Sequence, residues 1–309
     1  MRDDDNPDGT GRPPMFGDEG FPPPSALVQV EFAARSHQGH LRETNDDHYW
    51  IVRVGRYLQT VVTSLPEGAA PRPFDESGFG MVVADGMGGA GSERASRLAV
   101  ATLAQLALEI GKWNVRVDDE TAWDIVQQAE RFYRRVDETV TAAAGIHPEL
   151  AGMGSTLTAT YSAGDELFVV HVGHSRAYLL RGGRLRRLTR DQTMAQRVAD
   201  TGRPGPVELA ARDLRHIITN AIGGQAGKAY IQIESFRLLD NDLVMVCTNG
   251  LTDLVDELKI ADVLASPRGP DDTCQALVDL ALLYGGTDNV TVLLGKYRIP
   301  GLVLSDTVR

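Results

Sequence analysis

The sequence predicts an α+β fold in which antiparallel sheets are covered by helices, and three observations carry that expectation. Period-two alternation marks short strands between residues 28 and 63 and again between 155 and 190. Two segments near 95–110 and 119–144 repeat apolar residues at helical spacing. Several strands follow one another across tight turns, whereas a doubly wound parallel sheet needs a crossover helix between parallel neighbours.

The elements follow in order. Residues 1–29 hold six acids (Asp3, Asp4, Asp5, Asp8, Asp18 and Glu19) against two arginines, and proline and glycine fill much of the rest. Residues 1–26 therefore read as a disordered acidic tail that buries too little apolar surface to offset its ordering entropy. Val28, Val30 and Phe32 then share one face of a strand, with further strands at 48–54 and near 56–63. Pro66, Gly68, Pro71 and Pro73 mark 64–77 as a loop, after which residues 79–84 form a buried strand running into Asp85. Ala95, Leu98, Ala99, Thr102, Leu103, Leu106 and Ile110 line one helix, and a second occupies 119–144.

A meander comes next: Ser155–Ser162, Glu166–Val172 after the Gly164-Asp165 turn, Arg176–Arg181, and a strand after Gly182-Gly183. Residues 191–227 are irregular, rich in glycine and proline, and read as a flap-like segment. Strands at 229–238 and 242–248 flank the Asp240-Asn241 turn, helices follow at 257–266 and 271–284, and a last strand spans 289–298. One domain thus covers 27–299, with a C-terminal tail at 300–309.

Composition narrows the function. With 309 residues, 42% of them hydrophobic, the chain has enough material for a large globular core. Its net charge of −11 argues against holding nucleic acid through the overall field. Cys247 and Cys274 form neither a disulfide framework nor a zinc spacing, and read as two small buried hydrophobes in a reducing compartment. No run approaches the ~18 apolar residues of a membrane span, and the N-terminus lacks a targeting signal. A soluble cytoplasmic protein without a membrane partner is expected.

Four polar clusters stand at strand ends: Asn45-Asp46-Asp47, Asp85-Gly86, Asn249-Gly250 and Asp288-Asn289. Each alone is an ordinary turn sequence. Together, carboxylates at the ends of separate buried strands are costly unless a cation lies between them, and hard cations such as Mg²⁺ or Mn²⁺ take oxygen ligands. A phosphate-cradling loop at Gly86–Gly91 is the rival, but it lacks Gly-Lys-Ser/Thr, and no GxGxxG is present. No nucleophile-elbow pattern flanks Ser155 or Ser175.

Seven segments in order then carry a resemblance. They are Gly39-x-x-Arg42-x-x-Asn45-x-Asp47, Val83-Ala-Asp-Gly-Met-Gly-Gly89, Gly152-Met-Gly-Ser-Thr-Leu-Thr158, His171-Val-Gly-His-Ser-Arg176, Leu188-Thr-Arg-Asp191, Thr248-Asn-Gly-Leu-Thr-Asp253 and Gly286-Thr-Asp-Asn-Val-Thr291. Over about residues 30–298 the chain resembles the metal-dependent serine/threonine phosphatases of the protein phosphatase 2C family, in their bacterial form. The resemblance implies a four-layer αββα sandwich of two mostly antiparallel sheets flanked by helices, with a dinuclear Mn²⁺ or Mg²⁺ site at one edge. Carried over by position, Asp85 bridges both metals, the Gly86 carbonyl binds one, Asp288 and Asn249 complete one shell, and Asp47 serves the other, helped by Asp46. Arg42 holds the substrate phosphate, for which a forked guanidinium suits well. Two such cations activate water to attack phosphorus in line, so no phosphoenzyme is needed.

Three positions depart from the family pattern, which has aspartate at each: His37, His174 and Asn249. An amide oxygen brings no negative charge, so Asn249 is expected to weaken metal binding. His174 stands where bacterial relatives ligate a third, looser metal, and that site is expected to be altered or absent; a hydrogen-bonding turn histidine is the other reading. Met87 replaces a histidine proposed as general acid in some relatives, which leaves the proton donor unassigned.

The basic run Arg181, Arg184, Arg186, Arg187 and Arg190 has the charge to attract acidic phosphoproteins or nucleic acid, but reads as a solvated hairpin face, since no aromatic platform is interleaved. His40, His48, His147, His171 and His216 lack helical metal spacing and read as structural or surface groups. The resemblance implies hydrolysis of phosphoserine and phosphothreonine in proteins, opposing a serine/threonine kinase in a signalling role. The alternative, motivated by Asn249 and His174, is an inactive relative kept as a phosphopeptide-binding module.

Overall fold

In a computed structural model, residues 28–66, 68–70, 74–108, 117, 119–201, 214–223 and 229–299 are described. The expected tails at 1–26 and 300–309 lie outside these residues, as do 202–213 and 224–228 of the flap-like segment. The strands are β1 Gln29–His37, β2 Asp47–Leu58, β3 Phe74–Met87, β4 Gly154–Ser155, β5 Leu157–Ala163, β6 Glu166–Val172, β7 Arg176–Arg181, β8 Arg184–Arg187, β9 Gln232–Arg237, β10 Leu243–Cys247 and β11 Val290–Arg298. The helices are α1 Ser92–Leu108, α2 Asp119–Ile146, α3 Met194–Asp200, the single turn α4 Asn249–Thr252, α5 Glu257–Leu264 and α6 Pro270–Leu283.

One sheet runs β1-β11-β10-β7-β8 and the other β2-β3-β5-β6-β9, with β4 paired to β3. Every pairing is antiparallel. The sandwich interior holds Met81, Val83, Leu167, Val169, Val244, Val246 and Leu293, from alternate positions of both sheets. The outer face of the first sheet packs Met245, Cys247 and Val292 against Ile260 of α5 and Leu277 of α6. The outer face of the second packs Val82, Ala84 and Val170 against Ala99 of α1 and Val136 of α2. The order of layers is therefore α-β-β-α, as expected.

Two details differ from the sequence reading. The strands expected at 48–54 and 56–63 are one strand, β2, whose partner β3 begins at Phe74, inside the expected loop. Gly55 looks like a break in the pattern but sits in the ladder opposite Ser77, where a Cβ would lie 2.5 Å from the Glu76 carbonyl oxygen. The glycine permits close backbone approach without ending the strand. Cys247 and Cys274 are free and buried, as read from their spacing. No helix among the described residues is long and apolar enough to cross a membrane.

Candidate active site

Both sheets converge at one end of the sandwich. β2 begins at Asp47 and β3 nears its end at Asp85, and the two residues are directly opposed in the antiparallel register. From the other sheet, Asp288 precedes β11, Asn249 follows β10, and His174 precedes β7. The order of strands in each sheet thus gathers residues as far apart in sequence as Asp47 and Asp288 at one edge.

Backbone bonds hold Asp85. Its N–H donates to Thr156 Oγ1 (2.9 Å), while its carbonyl accepts from the Thr156 N–H (2.9 Å) and Ser155 Oγ (3.1 Å). Past Met87 the chain reverses through Gly88 and Gly89, both at positive φ, to start α1. Gly86 has a different requirement: a Cβ there would lie 2.0 Å from the Ser92 carbonyl oxygen, so close helix–strand packing excludes a side chain.

Asp47 is 7% exposed and joins the two sheets. Its Oδ2 accepts from Thr248 Oγ1 (2.8 Å) and Thr291 Oγ1 (2.7 Å), whereas its Oδ1 is buried without a hydrogen-bond partner. Asp46 accepts through Oδ2 from Ser92 Oγ (2.5 Å) and through Oδ1 from Thr44 Oγ1 (2.8 Å). Its N–H donates to Asn289 Oδ1 (2.8 Å), and Asn289 Nδ2 donates to the carbonyls of Gln38 (2.7 Å) and Thr44 (2.8 Å). Asn289 thereby staples the loop carrying Arg42 to the start of β11. Arg42 forks onto Asp288, with Nε 2.8 Å from Oδ1 and Nη2 2.9 Å from Oδ2.

The electrostatics follow from this crowding. Burial, opposed in part by the two threonine hydroxyls and reinforced by Asp288 and Asp46, pushes Asp47 up to about 7. Loss of hydration, then repulsion from Asp47 and Asp288, lifts Asp85 well above the usual carboxylate range, with Arg42 as the opposing cation. Burial lowers the pKa of His174, which faces Asp253, Asp191 and Asp288, and its Nδ1 has no hydrogen-bond partner. Asn249 donates from Nδ2 to Asp253 Oδ2 (2.9 Å), and His216 Nδ1 lies 3.5 Å from the same oxygen.

Asp46, Asp47, Asp85 and Asp288, the acids read as site residues, lie in electrostatic range of one another here, together with Arg42 and His174. Among the described residues, no three His, Cys, Asp or Glu side chains are gathered in position to hold a metal ion. Asp288 is turned onto Arg42, Asp46 onto Ser92, and position 249 is an amide. The donor set still suits a hard divalent cation: the groups are oxygens, two carboxylates are disfavoured as anions by burial and neighbouring carboxylates, and one buried oxygen lacks a partner.

Several contributors were given no role in the sequence, although Asn289 was part of a polar cluster there. Thr248 and Thr291 clasp Asp47, Asn289 staples the loops, Thr156 fixes Asp85, and Asp253 engages Asn249. All lie within the seven segments, next to the charged residues, but nothing in a one-dimensional pattern tells which neighbour turns inward. His37 turns to its own loop: its Nδ1 accepts from the Gly39 N–H (2.9 Å) and its ring meets His40 edge-on. His171 is a structural group, buried with Nδ1 2.8 Å from Thr158 Oγ1.

Residues 74–268 match the family described as Protein phosphatase 2C. The serine/threonine protein phosphatase PstP of Mycobacterium tuberculosis is 34% identical over 266 residues, covering 86% of this chain and 44% of that protein. The chain thus spans less than half the length of this mycobacterial relative. The serine/threonine phosphatase stp of Listeria welshimeri is 31% identical over 215 residues, covering 69% of this chain and 82% of its own length. Among solved structures, the Mycobacterium tuberculosis serine/threonine phosphatase PstP/Ppp superposes with a TM-score of 0.69 at 32% identity, covering 87% of this chain and 99% of that one. A structure of the PstP catalytic domain in complex with two manganese ions gives 0.68 at 30% identity, covering 88% and 99%. The chain belongs to the protein phosphatase 2C family.

Proposed function

We propose that the chain hydrolyses phosphoserine and phosphothreonine in proteins with the aid of two Mn²⁺ or Mg²⁺ ions. The observation that carries this reading is the opposed pair Asp47 and Asp85, two carboxylates raised chiefly by burial and then by neighbouring carboxylates, with Arg42 beside Asp85. Asp47, Asp85, Asp288, the Gly86 carbonyl and the Asn249 amide oxygen would hold the ions, with Asp46 and His174 at the periphery. When bound, the ions supply Lewis acidity that makes water nucleophilic at neutral pH.

The chain's own groups do the rest. Arg42 is exposed enough to meet a ligand, and its fork matches two phosphate oxygens as it matches the Asp288 carboxylate. Thr248 and Thr291 keep the Asp47 oxygens oriented, and the Thr156 hydroxyl keeps the Asp85 backbone in place. Residues 191–227 would form a flap that selects substrates. A serine/threonine kinase is the opposing activity in a cytoplasmic signalling role; the net negative charge supports a protein substrate over nucleic acid.

Hydrolysis of an aryl phosphate with and without Mn²⁺ tests this. Native chain is expected to turn over only with metal, and Asp85→Ala to lose roughly a hundred- to a thousandfold in kcat, the scale on which losing one electrostatic catalytic group is felt. Metal-independent turnover, or turnover that survives Asp85→Ala, sinks the proposal. Asn249→Asp is expected to tighten Mn²⁺ binding by restoring a negative oxygen. It also sets a carboxylate against Asp253, so with EDTA the variant should melt below the native chain.

A further inference from the structure

One charged feature has no part in the proposed hydrolysis. From Arg176 to Arg190 the chain has six arginines and no acid, within a molecule of net charge −11. Three of them are committed. Arg176 forks onto Asp191 and Arg181 onto Asp242, while Arg190 pairs with Asp200. Arg184, Arg186 and Arg187 differ. They lie on β8, the edge strand of its sheet, and are exposed. Among the described residues Arg184 and Arg186 have no acidic partner, and Arg187 approaches Asp191 and Glu257 at only 3.7 and 4.0 Å. The Arg186 guanidinium is propped 5.0 Å above the Phe236 ring, which limits its wandering.

Of the three, Arg187 lies toward the site end of β8, opposite Tyr178, while Arg184, opposite Arg181, lies three residues or about 10 Å further along the strand. Along the edge that carries the site come Asp288 before β11, Asn249 after β10, His174 before β7 and Arg187 at the end of β8. From β11 to β8 is three strand spacings, about 14 Å at ~4.8 Å each. An extended peptide rises ~3.4 Å per residue, so about four residues cover that span.

We propose that Arg184, Arg186 and Arg187 form a docking surface for acidic side chains of the substrate, about four to six residues from the phosphorylated serine or threonine. This rests on the phosphatase reading above. Charge on an edge strand also deters sheet-to-sheet aggregation, but that role needs no substrate preference.

The test compares three phosphothreonine peptides: one with neutral flanks, one with glutamates four to six residues N-terminal to the phosphothreonine, and one with them C-terminal. With Mn²⁺ and low salt, one acidic peptide should exceed the neutral one about fivefold in kcat/KM, the size expected of a few exposed ion pairs. The advantage should shrink at high salt. In R184A/R186A/R187A the ratio should fall to near one, with turnover of the neutral peptide showing that the fold persists; the corresponding triple lysine variant should keep most of the preference.

Aryl phosphate turnover with equal rates on all three peptides overturns the docking surface alone, as does an unchanged ratio in the alanine variant. Absence of any turnover sinks the phosphatase reading, and the docking surface with it. A preference that emerges only after residues 1–26 are removed would assign the arginines to the chain's own acidic segment, and also overturns the proposal.

Discussion

Asp47 concentrates the conflict at this site in one residue. It is buried, it accepts two hydroxyl hydrogen bonds through one oxygen, and the other oxygen is bare. Its folded pKa of about 7 stands above the ordinary unfolded value of ~3.9, so the folded chain binds this proton more tightly. A group of that kind contributes stability that is full below about pH 4 and is lost as pH rises toward 7. In EDTA, the melting temperature of the native chain relative to Asp47→Asn is expected to fall between pH 5 and pH 8, because the amide carries no charge at either pH. Thermal melts of both chains at the two values check this, and parallel pH profiles would refute it. The acidic residue was readable in the sequence. Its pairing with Thr248 and Thr291, some two hundred residues away, was not, since hydroxyl orientation depends on which strands become neighbours.

At the scale of elements, β3 is the best-determined part of the site. Met81, Val82, Val83 and Ala84 make a continuous apolar run, buried between β2 and β5, and this run was legible without coordinates. The residue that holds its functional end was not singled out. Thr156 is fully buried, and its hydroxyl accepts the Asp85 N–H. Thr156→Val keeps the shape but leaves that N–H without its acceptor, which is expected to cost about 1–3 kcal/mol in urea unfolding. Thr156→Ser should recover most of the loss. Equal stability of the valine and native chains would show that the hydroxyl does not secure the strand end. The single strand β2 shows the converse problem: Gly55 is a turn signal in sequence and a close-approach residue in space.

For the whole molecule, the two sheets each supply part of the site, so the layer between them sets its geometry. Leu293 lies in that layer, fully buried beside Val244, Val246 and Met81 from both sheets. Leu293→Ala is expected to lower the unfolding free energy by roughly 2–5 kcal/mol, whereas Leu293→Met should cost under about 1.5 kcal/mol. The alanine variant should also bind Mn²⁺ more weakly, because Asp47 and Asp85 come from one sheet and Asp288 and Asn249 from the other. Denaturant melts and Mn²⁺ titration of the two variants check both effects; unchanged metal affinity in a clearly destabilised alanine variant would separate packing from site geometry.

Local pattern was sufficient for the kinds of element, their order and the identity of the charged residues, because periodicity and turn chemistry act over a few residues. Family resemblance added the layers and the roles. Which strands pair is a different matter. β1 lies along β11, joining the two ends of the described domain, and β8 and β9 are the edges of separate sheets although β9 follows β8 in chain order. These pairings are fixed by how two apolar sheet faces bury one another, an energy shared among residues far apart in sequence. The fork of Arg42 on Asp288, the amide of Asn249 on Asp253 and the threonine clasp on Asp47 follow from the same pairings. Each is a contact between segments that only packing makes adjacent.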